Sequence, residues 1–198
     1  MPTAYIGMGA NLPSCAGPPE ATLAAAAARL GELGRVIRRS SLYRTEPVGF
    51  AGQPSFVNAV VALDTTLAPR PLLEGLLTLE RAFGRDRSAS IPLGPRTLDL
   101  DLLLYDTIVL NEPDLVLPHP RLAERAFVLV PLCEIDPKVF HASSGQPVSQ
   151  LLVNLNRTLG PIQNAVLQIS FDGWRAGGSS AGPGESCVPG PGDDLTDR

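Results

Sequence analysis

The sequence predicts an α+β fold: an antiparallel sheet with helices packed on it, followed by C-terminal additions. Three observations carry this. Short apolar runs of strand length alternate with two longer stretches whose leucines and alanines repeat at helical spacing. The first six segments follow the order strand, helix, strand, strand, helix, strand. A chain of 198 residues, 44% hydrophobic, has room for one domain with a proper core and little more.

Ala4 to Gly9 reads as a short buried strand stopped by glycine, and Asn11 to Pro19 as a loop. A helix follows from about Glu20 to Leu33. Pro18 and Pro19 stand at its entrance, Leu23, Ala27, Leu30 and Leu33 share a face, and Gly31 and Gly34 end it. Val36 to Tyr43 is a second strand. Thr45 to Pro54, with two prolines and two glycines, is a loop, and Ser55 to Leu63 is a third strand. The second helix has Leu72, Leu73, Leu76, Leu79, Glu80 and Phe83 at helical spacing, with Pro69 and Pro71 at its start and Gly84 at its end. Arg85 to Pro95 is a polar loop and Thr97 to Tyr105 a fourth strand. This is the split βαβ order of ferredoxin-like folds, with both helices on one face of an antiparallel sheet. Beyond it, Ala123 to Ile135 is expected to be helical around Pro131, Val148 to Asn156 a short helix and Ile162 to Ile169 a strand. From Asp172 the composition turns to Gly, Ser, Pro and Asp, too poor in apolar groups to offset the entropy of ordering. The expected division is a domain over 1–171 and a disordered tail over 172–198, with Trp174 the one residue able to dock.

Composition excludes several classes. The net charge of −4 argues against a nucleic-acid surface. Lys138 is the one lysine among 16 Lys+Arg, so a lysine-centred phosphate loop is not expected, whereas arginine forks suit phosphate oxygens. Cys15, Cys133 and Cys187 are odd in number and far apart, which favours a reducing cytoplasm over a disulfide framework. No charged start is followed by an apolar run, and no apolar stretch reaches the roughly 20 residues that span a bilayer. A cytoplasmic protein is therefore expected. There is no GxxxxGK[ST] loop, no GxGxxG after a strand, no His/Cys cluster and no GxSxG elbow.

The chemistry concentrates in Gly94-Pro95-Arg96-Thr97-Leu98-Asp99-Leu100-Asp101. On a strand, Asp99 and Asp101 share a face about 6.6 Å apart, while Leu98, Leu100 and Leu102 take the buried face. Such a pair can hold one or two Mg²⁺ ions that keep their other positions for water and phosphate. An isolated D-x-D is more often a solvated strand face; the arginines nearby change that balance. Arg96 stands at the mouth of the same strand, and Arg85 and Arg87 lie in the preceding loop. Guanidinium beside a metal-binding acid pair is what phosphoryl transfer needs. His119, held between Pro118 and Pro120 with Arg121 and Arg125 following, could donate to a nucleotide phosphate or be structural. Phe56 and Asn58 share a strand face and could form an aromatic platform with an amide that reads a heterocycle; core packing is the alternative for Phe56.

From Ala4 to about Pro137 the chain resembles the 6-hydroxymethyl-7,8-dihydropterin pyrophosphokinases of folate biosynthesis. The likeness rests on Tyr43-Arg44-Thr45, Gln53, Phe56-Val57-Asn58, Glu80, Gly84 to Arg87, Gly94 to Asp101, Pro118 to Arg121, Arg125 to Leu129 and Pro131-Leu132. The resemblance implies an enzyme that transfers pyrophosphate from ATP to the hydroxymethyl-dihydropterin, releasing AMP; a monomer is expected. It implies two Mg²⁺ ions on Asp99 and Asp101, and Arg85 and Arg96 as the transition-state arginines. Glu80, Arg87, Leu102, His119 and Arg125 would contact ATP. Thr45, Val48, Phe56, Asn58 and Phe127 would hold the pterin, Phe127 by stacking and Thr45 and Val48 through main-chain contacts. The sequence departs from the family pattern at Leu93, where a tryptophan is usual. Pro13-Ser14-Cys15 replaces a usual Gly-Asp-Arg, and Phe56 replaces a frequent tyrosine.

Overall fold

Thr3–Ala10 (β1) is the inner strand on which the sheet is built. The computed structural model describes residues 1–47, 52–86, 94–160 and 165–175. β1 turns Ala4, Ile6, Met8 and Ala10 into one core cluster and Tyr5 into another. It does not stop at its glycines. Gly7 and Gly9 are held extended from both sides, opposite Val60 and Asn58 of one neighbour and Asp101 and Asp99 of the other.

In chain order, β1 is followed by α1 (Pro19–Arg29), β2 (Arg35–Arg39), β3 (Leu42–Thr45), β4 (Phe56–Asp64), α2 (Pro69–Ala82) and β5 (Asp99–Tyr105). Two short hairpin strands, β6 (Leu110–Glu112) and β7 (Leu115–Leu117), lead to α3 (Ala126–Ile135). Another small pair, β8 (Phe140–His141) and β9 (Gln146–Pro147), precedes α4 (Val148–Leu159), β10 (Val166–Ile169) and a final turn, α5 (Asp172–Arg175). The main sheet has the order β10–β3–β4–β1–β5, with β2 also on β4, and every pairing is antiparallel.

Strand alternation sorts the core into two layers. Val57, Ala59, Val61 and Leu63 of β4, with Leu100 and Leu102 of β5, meet Leu23 and Ala27 of α1 and Leu72, Leu76 and Leu79 of α2. On the opposite face Tyr5, Val60, Ala62, Leu103 and Leu104 meet Val128, Leu129 and Leu132 of α3 and Val148 and Leu151 of α4. The C-terminal helices thus close the face that the first two helices leave open. Among the described residues no helix is long and apolar enough to cross a membrane.

The second predicted strand is broken at Ser40 and Ser41, both buried. Here side chains divert the ladder: the Val60 N–H donates to Ser40 Oγ (2.9 Å), and Ser41 donates its N–H and hydroxyl to the Glu134 carboxylate, each at 2.8 Å. The indole of Trp174, 4% exposed, donates to Ser40 O at 2.6 Å and lies under Arg39. The packed body therefore reaches past residue 171. The expected disorder over 176–198 lies outside the described residues. Trp174→Ala is expected to cost about 3–5 kcal/mol. In thermal melting, a chain cut after 171 should show a comparable loss, and one cut after 175 should melt like the full chain.

Candidate active site

The site grows from the free face of β5. Alternation buries Leu100 and Leu102 on the α1/α2 side and leaves Asp99 and Asp101 together on the other. Next to them in register, β1 offers only glycine: Gly9 stands between Asp99 and Asn58, and Gly7 faces Asp101. A cavity of about 360 Å³ opens over this floor. Its wall includes Asp99, Asp101, Arg96 and Arg125 together with Thr45, Phe56, Asn58 and Phe127.

Each acid is already matched by arginine. Arg96 donates from a terminal nitrogen to Asp99 Oδ2 at 2.6 Å, and Arg85 reaches the other oxygen of Asp99 at 3.5 Å. Arg125 donates to Asp101 Oδ2 at 3.2 Å. These pairs are partly shielded from water, with the Arg85 and Arg96 side chains 10% and 18% exposed, so they are stronger than surface pairs and hold the arginines in one place. Arg85 is aimed by the end of α2. Gly84 takes φ 81°, a left-handed conformation glycine adopts without strain, and the Arg85 N–H returns to Glu80 O at 3.0 Å. Glu80 itself is buried, and its Oε1 accepts the Leu100 N–H at 2.8 Å, tying α2 to the strand that carries the acids.

Asn58, in the same wall, is buried and donates from Nδ2 to the Thr45 hydroxyl at 2.8 Å, which holds the side chain in place. Phe56 carries the Arg96 guanidinium over its ring at 5.6 Å, and Phe127 carries that of Arg125 at 5.7 Å. Phe56, Phe127 and the held amide of Asn58 thus line one cavity, side-chain types suited to a flat, hydrogen-bonding heterocycle.

His119 is brought near the acids. Its N–H donates to Leu103 O at 2.8 Å, at the point where the β1–β5 register slips, and its Nδ1 accepts the Arg121 N–H at 3.2 Å. Burial pushes the imidazole below its usual value; the Asp101 carboxylate opposes this, while Arg125 and Arg121 add to it. With Nδ1 an acceptor, the proton of the neutral ring is on Nε2, which can donate. Leu102 differs from the other candidates: its side chain belongs to the α1/α2 core, leaving only backbone for a ligand. Val48, Arg87 and Leu93 lie outside the described residues. Sequence reasoning missed Gly7, Gly9 and Glu124 as cavity lining, assigned Arg121 no part in it, and read Asn11 as plain loop. The period-2 pattern of β1, extended through its glycines, could have exposed the first two.

Two carboxylates on one strand face form an all-oxygen donor set suited to a hard divalent cation that keeps positions for water and phosphate. Among the described residues no group of three or more His, Cys, Asp or Glu gathers into an all-protein cage. The residues present therefore fit Mg²⁺.

The chain is 43% identical over 158 residues to the 2-amino-4-hydroxy-6-hydroxymethyldihydropteridine pyrophosphokinase of Methylorubrum extorquens, covering 79% of this chain and 95% of that protein. It is 44% identical over 150 residues to the Pseudomonas aeruginosa protein of the same name, covering 75% and 88%. The fold matches the crystal structure of wild-type Plasmodium falciparum HPPK-DHPS with SDX-DHP at a TM-score of 0.63 and 14% identity, over 84% of this chain. This chain corresponds to 47% of that longer protein. With residues 5–137 matching its family model, this chain belongs to the 7,8-dihydro-6-hydroxymethylpterin-pyrophosphokinase (HPPK) family.

Proposed function

We propose that the chain transfers pyrophosphate from ATP to 6-hydroxymethyl-7,8-dihydropterin, giving AMP and the pterin diphosphate, a step of folate biosynthesis. One observation carries this reading: a single cavity is lined both by an acid pair with its arginines and by Phe56, Phe127 and Asn58. The hydroxymethyl oxygen attacks the β-phosphorus, the bond from that phosphorus to the oxygen bridging it to the α-phosphorus breaks, AMP leaves and one proton is released. Asp99 and Asp101 would hold one or two Mg²⁺ ions, which when bound neutralise charge on the phosphate oxygens.

The arginines now paired with Asp99 have a second task. When the carboxylate is otherwise engaged, Arg85 and Arg96 turn their donors to the oxygens in flight, and Arg125 does the same from Asp101. Arg87 and the Nε2–H of His119 add contacts to the nucleotide, Leu102 contributes backbone, and Glu80 holds the strand beneath. Asn58 reads the pterin edge, Phe56 and Phe127 enclose its ring, and Thr45 and Val48 supply main-chain contacts. The reaction passes directly between the two substrates, so no covalent enzyme intermediate is formed.

The order β1–α1–β2/β3–β4–α2–β5 is read as a split βαβ of the ferredoxin-like kind, supported by the antiparallel sequence β3–β4–β1–β5. A cytoplasmic monomer is part of the same reading, and the described cysteines Cys15 and Cys133 are both free thiols. The test is to incubate the protein with ATP, Mg²⁺ and the hydroxymethyl-dihydropterin and identify the nucleotide released. AMP is expected; ADP, or no turnover, overturns the reading.

A further inference from the structure

We propose that Asn11 is a positioning residue that couples the phosphate side of the site to the pterin side and acts through Arg96; this rests on the pyrophosphokinase reading above. Asn11 follows β1 and is 2% exposed. Its Oδ1 accepts the Arg96 N–H at 2.8 Å, while the N–H groups of Asn11 and Leu12 both donate to Arg96 O at 3.0 Å. The Arg96 residue is thus gripped at both of its peptide groups. The amide nitrogen of Asn11 donates to Gln53 Oε1 and to Pro54 O, each at 3.0 Å.

The orientation of this amide is set by its partners. Turned over, its NH₂ would face the Arg96 N–H and its oxygen would face the Pro54 carbonyl, pairing donor with donor and acceptor with acceptor. Both ends of the amide therefore report on different halves of the site. One end holds the backbone of Arg96, whose guanidinium is steadied by Gly94 O and Asp99. The other end holds the segment that leads directly into Phe56, the ring beneath that guanidinium. A side chain with one acceptor and two donors, buried between the two segments, fixes where the arginine stands relative to the pterin slot. Misplacing a reacting group by about 1 Å is enough to cost a hundredfold in rate.

The test is a double-mutant cycle on AMP formation with Asn11→Ala, Arg96→Ala and both together, alongside calorimetric binding of ATP with Mg²⁺. Asn11→Ala is expected to lower kcat by about tenfold to a hundredfold while nucleotide affinity stays within about threefold. In the Arg96→Ala background the same change should lower kcat by less than about threefold. An equal loss in both backgrounds overturns the proposal, since a general loss of structure would act in both. Asn11→Asp covers the case in which the alanine variant does not fold. It keeps the acceptor for the Arg96 N–H and loses the donation to Pro54, so KM for the pterin should rise more than kcat falls. A fall in kcat with unchanged KM in that variant also overturns it. A wild-type chain that forms no AMP would instead sink the pyrophosphokinase reading, so the two failures are distinct.

Discussion

Asp101→Asn is expected to slow AMP formation by at least about a thousandfold while the melting temperature moves by only a few degrees. The substitution keeps the size and the strand propensity of the side chain and removes only its charge, on which Arg125 depends and on which the proposed Mg²⁺ would depend. Among the described residues Asp101 pairs with Arg125 at 3.2 Å, a contact that the loss of charge weakens. Asp99→Asn should be as damaging to turnover but harder on the fold. Asp99 is shared by Arg85 and Arg96 and is better shielded than Asp101, with side chains 21% and 33% exposed, so losing its charge disturbs more. Melting curves should therefore rank wild type above Asp101→Asn and Asp101→Asn above Asp99→Asn. Turnover near the wild-type rate in either variant would remove the acid pair from the mechanism.

Gly9→Val is expected to cost function more than stability. Valine is favoured over glycine inside a strand, which offsets part of the crowding it brings, so the variant should melt within a few degrees of wild type. Yet a Cβ at Gly9 would lie 3.1 Å from Asn58 Oδ1, and the methyls beyond it would fill the space between Asn58 and Asp99. Filling a well-fitted site in this way costs up to about 3 kcal/mol, roughly a hundredfold in kcat/KM. Steady-state kinetics with varied pterin, set beside thermal melting, decide it. An unchanged KM for the pterin would mean that the substrate does not rest on this floor.

Much of this site is readable from local pattern. Asp99 and Asp101 alternate with leucines, and a period of two puts them on one face wherever the strand is placed. Gly84 after the leucine stripe of α2 marks where the chain leaves the helix and where Arg85 must begin. The motif resemblance agrees with the family to which the chain belongs. Other features resist such reading because their cause is distant in sequence. Gly7 and Gly9 look like strand breakers until β4 and β5 pair with them from both sides. Ser40 and Ser41 look like any strand residues until Glu134, some ninety positions later, takes their hydrogen bonds. Trp174 sits in a stretch of tail composition and is nevertheless buried against Ser40 and Arg39.

By itself the sequence determined which residues could do chemistry here: an acid pair, the arginines around it, an asparagine and two phenylalanines, each set in a recognisable local pattern. It did so because periodicity and turn chemistry act over a few residues and can be read within them. Only the tertiary structure decided how these groups meet. It cleared the floor between Asp99 and Asn58 with Gly9, matched Arg125 to Asp101, and joined Arg96 to the Pro54 segment through the amide of Asn11. The contact between Asn11 and Arg96 alone joins positions 85 residues apart. They exist because the sheet pairs β1 with both β4 and β5, placing three distant segments side by side where their unspent hydrogen bonds could find one another.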